Sequence, residues 1–307
     1  MKYIYILVLI FLLMGCEDSN KVKLIQNVMF TNPSIETCIK KRAELIGLTK
    51  VEELTEVLCK GGDDYSNLED FNHFPNLTGV ALHSIEAHEV NLDNILFIEE
   101  FLVISSEHIR TFTATNSPNL KLIGIENSHR VREILLNELP HLTDLSVRDS
   151  VIDVLDIAQI ESLEYLSVGT YAIDAFLFDL ISPIKHLDLT PNKNLKEVKL
   201  SHTMLDTLLL EGLDSLNKLT VNGSELETLN LDLNNLEELT LLSNKISAID
   251  LSYVPNITRL ILSENSLTDI DLDLNTKLEY VRLGDNPLSD ATIEYLNGID
   301  WIDDLKY

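Results

Sequence analysis

The sequence predicts an α/β-type repeat solenoid: a curved parallel β-sheet closed by an N-terminal helical cap and a C-terminal cap. Three observations carry that expectation. Apolar residues recur with a period of about 21 residues from Leu54 to Leu288. Within each period they follow L-x-x-L-x-L, the alternation of a strand with one buried face. The flanking stretches 28–53 and 289–307 break the period and carry helix-capping residues. One such coil cannot bury its own apolar side, so consecutive coils must stack around a shared core.

The chain opens MKYIYILVLIFLLMGC. Lys2 precedes an apolar run, Ile4 to Met14, that is too short to span a membrane and suits a signal-peptide core. Leu13-Met14-Gly15-Cys16 resembles the bacterial lipoprotein signal. That resemblance implies removal of residues 1–15 and acylation of Cys16, with 16–27 as a tether. It places the protein in the bacterial cell envelope, and Glu17 after the cysteine leaves delivery to the outer membrane open.

Cys38 and Cys59 remain. In an exported chain the pair is expected to form a disulfide, the alternative being two buried free thiols. Cys38 lies in a helix expected from Asn32 or Ser34 as cap, Pro33 in the first turn, and Ile35, Ile39, Ala43 and Ile46 on one face. Cys59 sits where the repeat calls for a core residue. A bridge would pin the helix over the open end of the first coil.

The coils open at Leu54, Leu77, Ile98, Leu120, Leu142, Leu163, Ile184, Leu195, Leu216, Leu236, Ile257 and Leu278. Spacings run from 20 to 23 residues except for 11 between Ile184 and Leu195. The segment IKHLDLTPNKN matches the second half of a repeat, so 163–194 reads as one enlarged coil. Asn244, Asn265 and Asn286 fall in the turn after each strand, where a side-chain amide can satisfy backbone groups. Ser150, Tyr171, Thr203 and Ser224 replace them earlier, and those coils are expected to be less regular. Asp156, Asp188, Asp250 and Asp271 fall on the convex side. After Leu288, Ser289 or Asp290 can cap a short helix ended by Gly298, with Trp301, Ile302 and Leu305 covering the last coil.

The motif L-x-x-L-x-L-x-x-N-x-L, its L-D-L half-repeats, the Cys38/Cys59 cap and the WIDDLKY end together resemble bacterial leucine-rich-repeat lipoproteins of the 21-residue, internalin-like class. The resemblance covers about residues 28–307 and implies a monomeric, non-enzymatic binding protein, engaged in adhesion or recognition. A periplasm-facing scaffold is the alternative, with an enzyme site assembled across coils as a remote third.

The partner would meet outward strand positions. The C-terminal candidates are Leu242, Arg259, Ile261, Tyr280 and Arg282, where apolar groups and two arginines are expected on adjacent strands. Tyr165, His186 and Lys199 form a second set near the irregular coil. No catalytic, metal or cofactor motif is present: the eight histidines are scattered, and the acidic residues form no EF-hand or glycine–aspartate repeat. The formal net charge of −27 disfavours nucleic acid. A protein or peptide, basic for preference, or a glycan fits better.

Overall fold

The computed structural model describes residues 23–170 and 181–307. Helix α1 (Pro33–Ile46) comes first. The early strands are β1 (Glu56–Lys60), β2 (Gly79–His83), β3 (Glu89–Asn91), β4 (Glu100–Ile104), β5 (Thr111–Thr115) and β6 (Leu122–Glu126). The middle strands are β7 (Glu133–Asn137), β8 (Asp144–Arg148), β9 (Val154–Asp156), β10 (Tyr165–Gly169), β11 (His186–Asp188) and β12 (Glu197–Ser201). Then follow β13 (Thr207–Leu209), β14 (Lys218–Asn222), β15 (Glu238–Thr240), β16 (Arg259–Ile261) and β17 (Tyr280–Arg282). Helix α2 (Asp290–Asn297) and β18 (Asp304–Lys306) close the chain.

All strand pairs are parallel. Twelve strands form the inner, concave sheet in the order β1-β2-β4-β6-β8-β10-β12-β14-β15-β16-β17-β18. The outer side carries a four-stranded sheet, β3-β5-β7-β9, and a two-stranded one, β11-β13. The chain is a leucine-rich-repeat solenoid. Its core is one continuous column of Leu, Ile and Val from Ile25 to Ile302, most of them buried. Each buried side chain of this kind contributes about 1.5–3 kcal/mol. Among the described residues no helix is long and apolar enough to cross a membrane.

The repeat pattern meets its one irregularity between β10 and β12. These strands pair directly, Tyr165 opposite Glu197, although 32 residues separate them. The intervening β11 pairs instead with β13 on the outer side. Ile184 therefore opens a second half-repeat, as the L-D-L match implies. Gly169 shows how tight the junction is: it adopts φ +122°, and a Cβ there would sit 1.8 Å from the Ser201 carbonyl oxygen. Tyr171 lies outside the described residues.

Asparagine side chains join the last coils. The buried Asn265 amide donates to the carbonyls of Leu241 (2.7 Å) and Leu262 (3.0 Å), and its oxygen accepts the Ile246 N–H (3.0 Å). Asn244 and Asn286 repeat the arrangement. Earlier coils use short hydroxyls: Ser106 accepts the Ile85 N–H, Ser128 the Ser106 N–H, and Ser150 donates to the Ser128 carbonyl. The irregularity expected of the Ser150, Thr203 and Ser224 coils is not found, whereas the coil between β10 and β12, to which Tyr171 belongs, is the irregular one. The inner strands of the earlier coils run five residues, against three in β15, β16 and β17. The alternating runs TFTAT and EILLN supply second strands on the outer side.

The N-terminal cap is built around Asn32, whose side-chain oxygen accepts the N–H groups of Ser34 and Ile35. The same residue is gripped from the first coil: buried Asp70 accepts its backbone N–H at 2.7 Å, and its amide donates to Asn67 O at 3.0 Å. Gly47 ends α1 in the left-handed conformation, φ +74°. A disulfide joins Cys38 to Cys59 with Cα atoms 5.2 Å apart. Closing a loop of 21 residues contributes about 3 kcal/mol in the chain-entropy model.

Three boundary expectations need correction. Residues 23–27 belong to the cap rather than a tether: Leu24 bridges Lys50, the Ile25 N–H donates to Thr49 O, and Ile25 is buried. Their apolar side chains favour the core over water. Ile46 is half exposed, because the helix leaves the coil at its last turn. Trp301 is also partly exposed, and Leu296 and Ile302 cover the last coil while Leu305 pairs in β18 opposite Val281. Ser289 caps α2 by accepting the Thr292 N–H.

The asparagine ladder makes a direct prediction. Replacing Asn265 by alanine strands a buried N–H and two carbonyls and should lower unfolding free energy by about 2–3 kcal/mol. Urea denaturation showing a loss under roughly 0.5 kcal/mol would refute its role as a coil-to-coil joint.

Candidate functional site: the concave face

Register sets the outward side chains of the inner sheet in rows. At the C-terminal end one row reads Lys218, Glu238, Arg259, Tyr280 and Asp304. The next reads Thr220, Thr240, Ile261, Arg282 and Lys306. Arg259 and Tyr280 are thus direct neighbours, with Arg282 two residues along the strand. Both guanidinium carbons stand 3.8 Å from the Tyr280 ring centroid. Cation–π contact of this kind contributes about 0.5–2 kcal/mol and holds all three groups in place.

Arg282 also has a second task. It reaches Asp304 across the strand pair at 2.5 Å and donates to the Asp304 carbonyl at 2.9 Å. It is only 17% exposed and fastens β18 to the solenoid. Arg259 and Tyr280 are likewise half-buried.

The expected row of Leu242, Ile261 and Tyr280 does not form. Ile261 faces Thr240 and Arg282. Leu242 lies beyond the end of β15, its carbonyl accepting the Gly223 N–H. The three residues run diagonally, because a strand of three residues leaves position 242 in the turn. In the second set, Lys199 Nζ lies 5.4 Å from the Tyr165 ring and pairs with Glu197. His186 is not beside them. It lies on β11 in the outer sheet, opposite Thr207, because the half-repeat that carries it turns away from the concave face. Cys16 lies outside the described residues.

Periodicity alone does not single out an apolar band at the other end of the face. Leu58, Ala81, Leu102 and Gly124 stand in register on β1, β2, β4 and β6. Leu58 is half exposed. Leu102 leans over Gly124, where any Cβ would lie 2.5 Å from its Cδ2 atom. The band was legible in principle, since these outward repeat positions are apolar where later coils place Lys, Thr and Arg.

Charge on the solenoid is organised as rungs between adjacent coils. Glu99 pairs with Lys121 at 2.6 Å, Glu164 with Lys196 at 2.6 Å and Lys218 with Glu238 at 2.8 Å; Glu126 pairs with Arg148 and Glu225 with Lys245. Such exposed pairs contribute little each, about 0–1 kcal/mol. The convex aspartates serve turns: Asp188 accepts from Thr190 and Asp250 from Ser252, and both carboxyls are held below the ordinary range by these hydrogen bonds. Among the described residues no group of His, Cys, Asp and Glu is arranged to hold a metal.

No family model matches this chain, and no curated protein matches it. Solved structures share its fold. An internalin from Listeria monocytogenes aligns over 94% of this chain and 98% of its own, at 18% identity and a TM-score of 0.42. YopM, a leucine-rich effector protein from Yersinia pestis, aligns over 69% of this chain and 56% of its own, at 20% identity and a TM-score of 0.53. The LRIM1/APL1C complex aligns over 84% of this chain and 48% of the matched one, at 14% identity and a TM-score of 0.51. This chain therefore spans about half the length of the latter two. At such identities the likeness establishes the leucine-rich-repeat fold.

The Arg282–Asp304 link predicts an acid-sensitive cap. The hydrogen bond from Arg282, foremost, holds the Asp304 carboxyl below its ordinary value of 3.8. A depressed folded-state value means the link is complete above the ordinary value and is lost as pH falls through the lower one. Amide protection in β18, corrected for the intrinsic pH dependence of exchange, should therefore fall below about pH 4, and Asp304→Asn should abolish that fall. Equal pH dependence in the two proteins would contradict the assignment.

Proposed function

We propose that this chain is a non-enzymatic, lipid-anchored cell-envelope protein that holds a protein or other macromolecule on its concave face. The observation that carries the proposal is the inner sheet itself. Twelve parallel strands present side chains whose positions are set before any partner arrives. Recognition by such a surface loses little ordering entropy, because the backbone is locked by its neighbours and Tyr280 is already held by two arginines. A half-buried tyrosine with flanking arginines is the composition of an interface anchor. The LRIM1/APL1C assembly, a complex that includes a chain of this fold, is consistent with a protein partner.

The anchor rests on Leu13-Met14-Gly15-Cys16. Two or three acyl chains on Cys16 would hold the domain stably, where one chain anchors only marginally. The described structure begins at Lys23, so the cap would sit close to the bilayer and the coils would extend from it.

Binding and placement are tested separately. Arg259→Ala with Tyr280→Ala should weaken a partner retrieved on the wild-type solenoid by about tenfold or more, while Thr113→Ala on the outer sheet should leave it unchanged. Equal affinity in all three proteins would sink the C-terminal patch as a contact site. An epitope tag after the partly exposed Tyr307 reports placement. Its loss from protease-treated intact cells indicates surface display, and protection until permeabilisation indicates a periplasm-facing scaffold.

A further inference from the structure

A cavity lies at the junction of cap and solenoid. It measures about 620 Å³ and is walled by Pro33, Leu45, Leu58 and Tyr65 together with three cations, Lys41, Arg42 and Lys60. Asp63 also lines it. A second trough of about 280 Å³ shares Arg42 and Leu58 as walls and continues past Ala81 to Leu102 on the concave face. Together they make one groove, cationic and apolar at the cap, apolar along the sheet. Glu56 and Glu100 form its acidic edge.

The cations are clustered. Elsewhere seven lysines and arginines pair with a carboxylate on the neighbouring coil. Lys41, Arg42 and Lys60 make no ion pair with any carboxylate among the described residues, and Arg42 Nε is buried without a hydrogen-bond partner. Residues 23–50 carry five basic against two acidic side chains, whereas the whole chain has 50 acidic against 23 basic. Three unpaired cations around an apolar cavity suit a carboxylate carried beside apolar side chains.

We infer that this groove seats an acidic–apolar segment of the partner protein, its carboxylate on Lys41, Arg42 and Lys60 and its apolar side chains on Leu58, Ala81 and Leu102. The inference rests on the concave face being a protein-binding surface. A peptide is favoured over an anionic bilayer because the groove is edged by Glu56 and Glu100 and runs into a strongly acidic solenoid, which repels a flat anionic surface. The segment is acidic whatever the charge on the rest of its protein.

The test is selection of a random peptide library on the intact described domain with its disulfide formed. Peptides in which Asp or Glu precedes large apolar residues should be enriched. Fluorescence anisotropy of the enriched peptides should show about tenfold or greater weakening in Lys41→Glu/Lys60→Glu. Both lysines are exposed, so folding should be retained and is checked by thermal melting. Leu58→Ser, which keeps the charges, should also weaken binding. Arg259→Ala/Tyr280→Ala should not. Enrichment of basic peptides, no enrichment, or binding indifferent to the lysine reversal would overturn the inference. If the enriched peptides depended on Arg259 and Tyr280 instead, the concave-face proposal would survive and this one would fall. Phosphatidylglycerol vesicles that bind through the same lysines and displace the peptides would identify a lipid occupant and also overturn it.

Discussion

Every feature of this molecule depends on one constraint: no coil can bury its leucines without the next coil. The inner strands are only three to five residues long, too short to be stable alone. Stacking gives each buried residue neighbours from the coils on both sides and gives each outward residue a fixed place in a row. Asparagine and serine side chains then satisfy the backbone at the corners, where a residue shortly after the inner strand adopts positive φ, as Ser105, Asn127, Asp149, Ser243 and Glu264 do. A non-glycine residue there costs of order 1–2 kcal/mol. The turn is tolerated because the stacked coils hold it.

The same constraint makes the two ends special. An exposed terminal coil would offer an apolar face and an unpaired strand edge. At the N-terminus the answer is a helix tied by a disulfide and by the Asp70–Asn32 clasp. At the C-terminus it is a final parallel strand held by Arg282 on Asp304. Both closures reach into the concave face. Arg282 touches Tyr280, and Arg42 and Lys41 of the cap helix line the groove beside Leu58. The features that close the solenoid thus also furnish its two candidate contact areas.

Much of this was legible in the sequence. The period places a coil opening just ahead of every inner strand except β18, which lies in the non-repeating C-terminal stretch, and singles out Ile184 as the half-repeat. Cys38 and Cys59, separated by one repeat length, were expected to bridge, and they do. What escaped depended on lateral register. Periodicity assigns a face to a residue but does not say which row it occupies, so Leu242 was grouped with Tyr280 although the strand ends before it. His186 belongs elsewhere for a related reason: it shares its short second-half strand with Asp188, which the L-D-L pattern puts on the convex side, and the pairing of β10 with β12 carries that strand outward. Asp70 gave no local pattern, since its partners lie 38 and 39 residues earlier.

The central claim is that the concave sheet, and not the outer side, meets another macromolecule. Photo-crosslinking in living cells tests it most directly, with benzoylphenylalanine placed singly at Leu102 and Thr240 on the inner face and at Thr113 and Leu209 on the outer. A discrete crosslinked adduct is expected from one or both inner positions and none from the outer ones. Adducts confined to the outer positions, or distributed equally over both sides, would contradict it.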